Sequence, residues 1–210
     1  MATQSQGVSQ SSAQNQWEKA VATLDSDLQT VINHNTTGNT NVAAAALRTA
    51  KEKRDICLRK RWRYRKSNGK DIILRDVLDK IVGFLDKFVA VGDAAVQYDP
   101  AHASLPWAGV RFVLRAAVSD QRAFGDTVES LETIARLVTQ YAVFESLYLG
   151  KTTRIQGEME GALVVLYAEV LKYLARAKLY FQKSTAGMLS AGVTRVIGLT
   201  TFSSRAQVCF

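Results

Sequence analysis

The sequence predicts an all-α fold, a single bundle-like domain of about six helices between residues 16 and 185. Apolar residues recur at steps of three and four through most of the chain, which is the spacing of one helix face. No segment shows sustained alternation of apolar and polar residues, the pattern typical of strands. The 210-residue chain has only two prolines, so breaks are few, and its apolar share of 47% is enough to build a core.

The first helix is predicted after a polar tail. Residues 1–15 carry no charge and no apolar block, and they are too polar to offset the entropy of ordering, so we expect them to be disordered. Beyond the tail, one continuous helix is predicted by apolar residues at steps of four, three, four and three: Trp17, Val21, Leu24, Leu28 and Val31. Residues 34–41 then have the composition of a loop.

The second helix is predicted over about residues 43–65 and carries the basic residues of the chain. Its predicted apolar side consists of Leu47, Ala50, Cys57, Leu58 and Trp62. Asn68-Gly69 breaks the helix. Between Arg48 and Lys66 there are ten Lys or Arg and two acidic residues, an excess of eight that equals the net charge of the whole chain, +8. The charge is therefore a local feature.

Four further helices are predicted by apolar stripes. They cover about residues 71–96, 107–118 and 124–148, and the last has its apolar face between residues 159 and 181. From residue 186 the chain changes to Gly, Ser, Thr and Val with few charges. We expect residues 186–210 to form a tail or a linker.

A corner joins the third and fourth helices and contains both prolines, Pro100 and Pro106. The residue before a proline is disfavoured in the α region, so Asp99 is predicted to end one helix and Leu105 to begin the next. Ser104 can cap that next helix through its side-chain oxygen. Pro106 then lies in the first turn of the helix, where the missing N–H of proline costs nothing.

The corner also offers a histidine beside a carboxylate. His102 with Asp99 could act as a general base, but no Ser or Cys lies in a recognisable nucleophile motif. We expect both side chains to bond backbone groups of the turn, and we expect Trp107 to pack at the joint. The predicted structural corner consists of Asp99, Pro100, His102, Pro106 and Trp107.

Catalytic, cofactor-binding and metal-binding residues are not predicted. Gly150-Lys151-Thr152 resembles the end of a phosphate-binding loop, but Glu145 stands where that motif needs its first glycine. Two cysteines, Cys57 and Cys209, give neither a disulfide framework nor a metal-binding spacing.

The same features favour a cytoplasmic chain. The two isolated cysteines fit a reducing compartment, and the N-terminus lacks the basic end and apolar centre of a secretory signal. No apolar run reaches the roughly 18 residues needed to span a bilayer.

The basic segment supports three interpretations. It could bind nucleic acid, since Trp62 and Tyr64 alternate with arginines. It could lie against an anionic membrane. It could also be a solvated helix face that meets an acidic protein. We do not expect nucleic acid, because Trp62 is better placed as a core residue than as a stacking platform.

Several strings of residues carry a resemblance to a known family. They are Cys57-x4-Arg61-Trp62, Ile73-Leu74-Arg75-Asp76-Val77 with Lys80-Ile81, Val91-Gly92-Asp93, Gln97-Tyr98-Asp99-Pro100-x-His102-Ala103-x-Leu105-Pro106-Trp107-Ala108-Gly109-Val110-Arg111-Phe112, Leu131-Glu132-x-Ile134, Leu166-Tyr167-Ala168, Tyr173-Leu174-Ala175 and Tyr180-Phe181. Over residues 17–185 the chain resembles the N-terminal domain of fungal NACHT-type NTPases, which are NLR-like signalling proteins with a central nucleotide switch and C-terminal repeats.

The resemblance implies a helical effector or adaptor domain that relays receptor oligomerisation to a downstream response, often cell death, and it supplies no catalytic residues. We therefore expect a non-enzymatic signalling domain that associates with a protein partner or with copies of itself, without a cofactor or a small-molecule substrate. The predicted contact surface, which we call the basic face, is Lys51, Arg59, Lys60, Arg63 and Lys66. The alternative is a membrane-active cell-death executor that binds anionic lipid through the basic helix.

Overall fold

Seven helices and a short β-hairpin make up the part of the chain described by the computed structural model, which is residues 16–33, 42–66, 68–95, 104–116, 121–148 and 156–185. The elements are α1 (16–22), α2 (Ser26–Asn33), α3 (Val42–Lys60), β1 (Arg63–Arg65), β2 (Asp71–Ile73), α4 (Leu74–Ala95), α5 (Ser104–Ala116), α6 (Gln121–Tyr148) and α7 (Gln156–Thr185). The all-α prediction is confirmed. The predicted tails, 1–15 and 186–210, lie outside the described residues.

The continuous first helix that the sequence predicts is in fact two helices, α1 and α2. The Thr23 hydroxyl donates to the carbonyl of Ala20 at 2.7 Å, within the last turn of α1. The chain re-enters a helix where the backbone N–H of Gln29 donates to the carbonyl of Asp25 at 3.0 Å, and the Gln29 side chain donates to the carbonyl of Leu24 at 2.8 Å. These local side-chain bonds compete with helical ones and divide the helix.

The second helix, α3, ends at Lys60 rather than at residue 65. Arg61 has a left-handed backbone, with φ +50°. Its N–H donates to the carbonyl of Leu58 at 3.3 Å, and the N–H of Trp62 donates to the carbonyl of Cys57 at 3.2 Å. This pair of bonds is a Schellman motif, which closes a helix and turns the chain away.

The turned chain forms a hairpin that the sequence analysis did not predict. β1 and β2 pair in antiparallel fashion, with Arg63 opposite Ile73 and Arg65 opposite Asp71. Gly69 sits at the turn with φ +81°, a conformation that an L side chain would strain. Strands of three residues are too short to show the alternation by which strands are recognised.

Side-chain contacts fix the directions of the longer helices. The α3 and α4 helices are antiparallel. Lys51 Nζ lies 3.2 Å from Asp86 Oδ1, and one turn further along α3, Arg54 Nη1 lies 3.7 Å from Oδ1 of Asp79, which precedes Asp86 in α4. α4 packs against α6 as well as α3.

The α4 and α6 helices run parallel to each other. Lys80 Nζ lies 4.0 Å from Glu132 Oε1, and the Thr139 hydroxyl donates to the carbonyl of Phe84 at 3.2 Å. Later residues of one helix thus meet later residues of the other. The C-terminal end of α3 and the N-terminal ends of α4 and α6 therefore lie at the same end of the bundle, together with the hairpin.

One hydrophobic core contains residues from all seven helices and from β2. Trp107 is fully buried and packs on Phe88 of α4, with ring centroids 4.8 Å apart. Trp107 thus packs between α4 and α5, the two helices that the predicted corner would join. Pro106 is buried in the first turn of α5, as predicted. Asp99, Pro100 and His102 lie outside the described residues.

Candidate interaction surface

The residues around the β-hairpin form the most basic part of the chain. Residues 59–75 include eight Lys or Arg and one acidic residue, Asp71. We call this set the basic hairpin surface, and its cations are Arg59, Lys60, Arg61, Arg63, Arg65, Lys66, Lys70 and Arg75. They come from the last turn of α3, the hairpin and the first turn of α4, so the fold collects them at one end of the bundle.

The structure brings three residues of the predicted basic face together and places the other two in ion pairs. Arg59, Lys60 and Arg63 are exposed in the basic hairpin surface. Lys51 lies about 14 Å from Lys60 along the axis of α3 and pairs with Asp86 of α4. Lys66 pairs with Glu129 of α6, so its role is to hold the hairpin against the bundle.

The hairpin has an outward and an inward face. Residues opposite each other in an antiparallel pair lie on the same face, and the pair Arg63 and Ile73 is exposed, as is the pair Arg65 and Asp71. The Arg65 guanidinium donates two hydrogen bonds to the Asp71 carboxylate, at 2.7 and 3.1 Å. These bonds raise the pKa of Arg65 and lower the pKa of Asp71. The charge of Arg65 is thus locally compensated.

The inward face fixes the hairpin to α6. Tyr64 contacts Gly125, where a β-carbon would collide with the base of the tyrosine side chain. One turn further along α6, Glu129 receives the Lys66 ammonium. Ile72, the strand partner of Tyr64, is buried in the core. A glycine at residue 125 therefore allows the strand to approach the helix closely.

Two large apolar side chains are exposed among these cations. Leu58 is 52% exposed and Ile73 is 41% exposed. The prediction that Leu58 belongs to the apolar side of its helix is wrong, because α3 packs against α4 and α5 through small residues and Cys57 instead. Ile73 lies in the range 71–96 that was predicted to be helical, but it belongs to β2 and is exposed.

Trp62 links the basic hairpin surface to the core. Its ring packs against the core cluster, as the sequence analysis expected. The ammonium of Lys60 lies over the same ring, 5.3 Å from its centroid, which is within cation–π distance. Lys60 is thereby held at the edge of the bundle.

Two ionisable groups are buried away from the hairpin's outward face. Burial raises the pKa of the Cys57 thiol to about 11, so it stays protonated and is a poor nucleophile. Lys178 of α7 donates to the carbonyl of Val31 at 2.8 Å and lies over the ring of Phe112. Burial lowers the pKa of Lys178. Its bond caps the end of α2, so it serves the fold.

The described ranges show neither a metal-binding cluster nor a membrane-spanning helix. Those residues contain no group of three His, Cys, Asp or Glu side chains placed to hold a metal ion. Among the helices described, none combines the length and apolar character required to cross a bilayer. His102 and Gly150-Lys151-Thr152, the candidates weighed from the sequence, lie outside the described residues.

One family matches the chain, under the description "Domain of unknown function (DUF7708)", over residues 76–207. No curated protein and no solved structure matches the chain significantly. The matched range begins in the first turn of α4, so α1, α2, α3 and the hairpin precede it. Because the match covers more than half of the 210 residues, the chain belongs to the DUF7708 family.

Proposed function

We propose that the chain is a non-catalytic helical signalling domain that acts by protein association, and that the basic hairpin surface is its contact site. The proposal is supported by one observation above all. Arg59, Arg61 and Lys70 are exposed and form no ion pair with any residue that the structure describes. A group of uncompensated cations attracts an acidic partner and steers its approach.

The resemblance to the N-terminal domains of fungal NACHT-type NTPases suggests how such a surface would be used. A receptor that oligomerises in the cytoplasm brings several copies of its N-terminal domain together. Linked binding sites experience effective concentrations of about millimolar, so a contact that is weak for one copy becomes sufficient for a cluster. Signalling then needs no chemistry in the domain itself.

A membrane-active executor remains the alternative, and one observation favours it. Leu58 and Ile73 are exposed beside the cations of the basic hairpin surface. Surfaces that bind anionic lipid combine basic residues with apolar ones. In this alternative, clustering would deliver many basic hairpin surfaces to one patch of membrane.

The test is forced clustering in fungal cells. The 210-residue chain is fused to a module that oligomerises on addition of a small molecule, and growth arrest is scored. We expect arrest with the native sequence and none with Lys60→Glu/Arg63→Glu. The matched control is Lys19→Glu/Arg176→Glu, which makes the same charge change at exposed residues of α1 and α7 and should preserve the response.

Three results would contradict the proposal. Clustering of the native chain without any response would remove the signalling role. Equal loss of the response in the control variant would show that net charge, and not the basic hairpin surface, matters. Hydrolysis of a nucleotide by the purified chain would show that the domain is catalytic.

A further inference from the structure

We infer that the partner of the basic hairpin surface is an acidic protein segment with interspersed apolar side chains, which contacts Leu58 and Ile73 while its carboxylates meet the surrounding cations. This inference rests on the proposed function and adds the chemistry of the partner. Its first support is the pattern of side chains on the outward face.

Exposed apolar side chains have basic neighbours both in the hairpin and at the adjoining end of α3. Ile73 lies directly across the hairpin from Arg63, and paired residues in an antiparallel ladder have Cα atoms about 4.5–5.5 Å apart. Leu58 is followed at once by Arg59, Lys60 and Arg61 at the end of α3. A segment that carries both acidic and apolar side chains can satisfy both kinds of residue, whereas a purely acidic one would leave the apolar side chains in water.

The backbone that carries these side chains is also held in place before binding. The Schellman motif fixes the end of α3, Tyr64 is seated on Gly125, and Lys66 is paired with Glu129. A preorganised surface loses little conformational entropy when a partner binds. Arginine, which recognises carboxylates with two parallel hydrogen bonds, supplies most of its cations.

The placement of acidic residues favours a protein segment over a lipid surface. Asp71 lies on the outward face of the hairpin, bonded to Arg65, and Asp76 is bonded to Arg75 at 2.6 Å beside it. Because each carboxylate neutralises its arginine, neither pair adds attraction for a membrane, whose headgroups present negative charge uniformly. A protein segment can place a neutral or basic side chain opposite each carboxylate.

The experiment uses the full chain, two labelled peptides and one kind of vesicle. One short peptide alternates glutamate and leucine, and the other alternates glutamate and serine. Binding is followed by fluorescence anisotropy. We expect the leucine peptide to bind about tenfold more tightly than the serine peptide. That preference should disappear in Leu58→Ser/Ile73→Ser, whose two changes are at exposed side chains and leave the core intact.

The charge dependence is measured with a second pair of variants. Arg59→Glu/Arg61→Glu should weaken binding of both peptides by about tenfold or more. Lys19→Glu/Arg176→Glu should leave both affinities unchanged. Thermal unfolding of each variant, with a midpoint like that of the native chain, confirms that the fold is retained.

Several outcomes would overturn the inference. Equal affinity for the two peptides would reject the role of the apolar side chains. Peptide binding that survives Arg59→Glu/Arg61→Glu would reject the site. Sedimentation with phosphatidylcholine vesicles that contain phosphatidylserine, lost in the same variant and without a peptide preference, would assign the surface to lipid. A clustering response that persists in Leu58→Ser/Ile73→Ser would reject this inference yet retain the proposed signalling function.

Discussion

Replacing Gly125 with alanine is expected to push the hairpin away from α6. A β-carbon at residue 125 would lie 2.7 Å from the Cβ of Tyr64, and closer still to two atoms of its ring. The Cβ of Tyr64 is fixed by the backbone of β1, so rotation of the side chain cannot relieve the contact. The strand itself has to move.

The size of the effect follows from two opposing contributions. Alanine is favoured over glycine within a helix by up to about 1 kcal/mol, whereas overpacking of a close contact costs about 1–3 kcal/mol. Movement of the strand also disturbs the pair between Lys66 and Glu129, which is about one-third exposed and worth at most about 1 kcal/mol. We expect Gly125→Ala to destabilise the chain by about 1–3 kcal/mol.

Denaturant unfolding of four variants, including the single and double substitutions at residues 64 and 125, tests this reasoning. Gly161→Ala is the matched control, because a β-carbon there meets no atom within 4 Å, and it should stabilise α7 slightly. In a Tyr64→Gly background neither the Cβ nor the ring of residue 64 remains, so Gly125→Ala should no longer destabilise. If Gly125→Ala is as stable as Gly161→Ala, or if the effects of the two substitutions at residues 64 and 125 simply add, the reasoning is refuted.

Three further predictions concern buried side chains. Trp107→Ala should lower the free energy of unfolding by about 3–5 kcal/mol, and an unchanged thermal midpoint would contradict the burial of Trp107. In Cys209→Ser, Cys57 is the single thiol, and because its pKa is about 11, only about a thousandth of it is thiolate near pH 8. A disulfide reagent should therefore react slowly with the folded chain and faster once denaturant is added. Rapid reaction of the folded chain would contradict the burial of Cys57. Burial lowers the pKa of Lys178 in the folded chain below its ordinary value of 10.5. Between the lowered pKa and 10.5 the unfolded state binds more protons than the folded state, so stability rises with pH in that range. That part of the rise should vanish in Lys178→Met, and an unaltered pH dependence of the unfolding midpoint would show that Lys178 is not the cause.

The helices could be predicted from the sequence because each long helix buries one face. In α4, Ile81, Leu85 and Phe88 are all buried, and their spacing of four and three is visible without any structure. The placement of Pro106 and Trp107 could be predicted as well, since proline restricts the backbone locally.

The break between α1 and α2 could not be predicted from periodicity. Leu24 within the break is buried, as are Trp17 before it and Leu28 after it, so the apolar stripe continues in phase through the break. The end of α3 was hidden for a different reason: its left-handed residue is Arg61, not the glycine that usually marks such a cap. Asn68-Gly69 was the available sign of a hairpin, because this dipeptide is typical of tight turns between strands.

The candidate site could be predicted in part. The excess of positive charge is local in the sequence, so its existence was evident. Which cations remain uncompensated was not, because Lys51 and Lys66 find their acidic partners, Asp86 and Glu129, at distant positions in the chain. The exposure of Leu58 likewise depends on which faces of α3 the other helices cover.

The family match begins at residue 76, whereas the hydrophobic core already includes Trp17 in α1. Whether residues 76–207 fold without the preceding elements can be tested. A chain truncated to residues 76–207 keeps the matched range. It loses α3, which packs against both α4 and α5. It also loses Trp17, whose ring stacks on that of Tyr167 with centroids 3.7 Å apart. Because the core is continuous through these elements, we expect the truncated chain to bind a hydrophobic dye and to unfold without a cooperative transition. Cooperative unfolding near the midpoint of the 210-residue chain would instead show that residues 16–75 are an appendage. In that event the basic hairpin surface would lose the rigid support on which its proposed role depends.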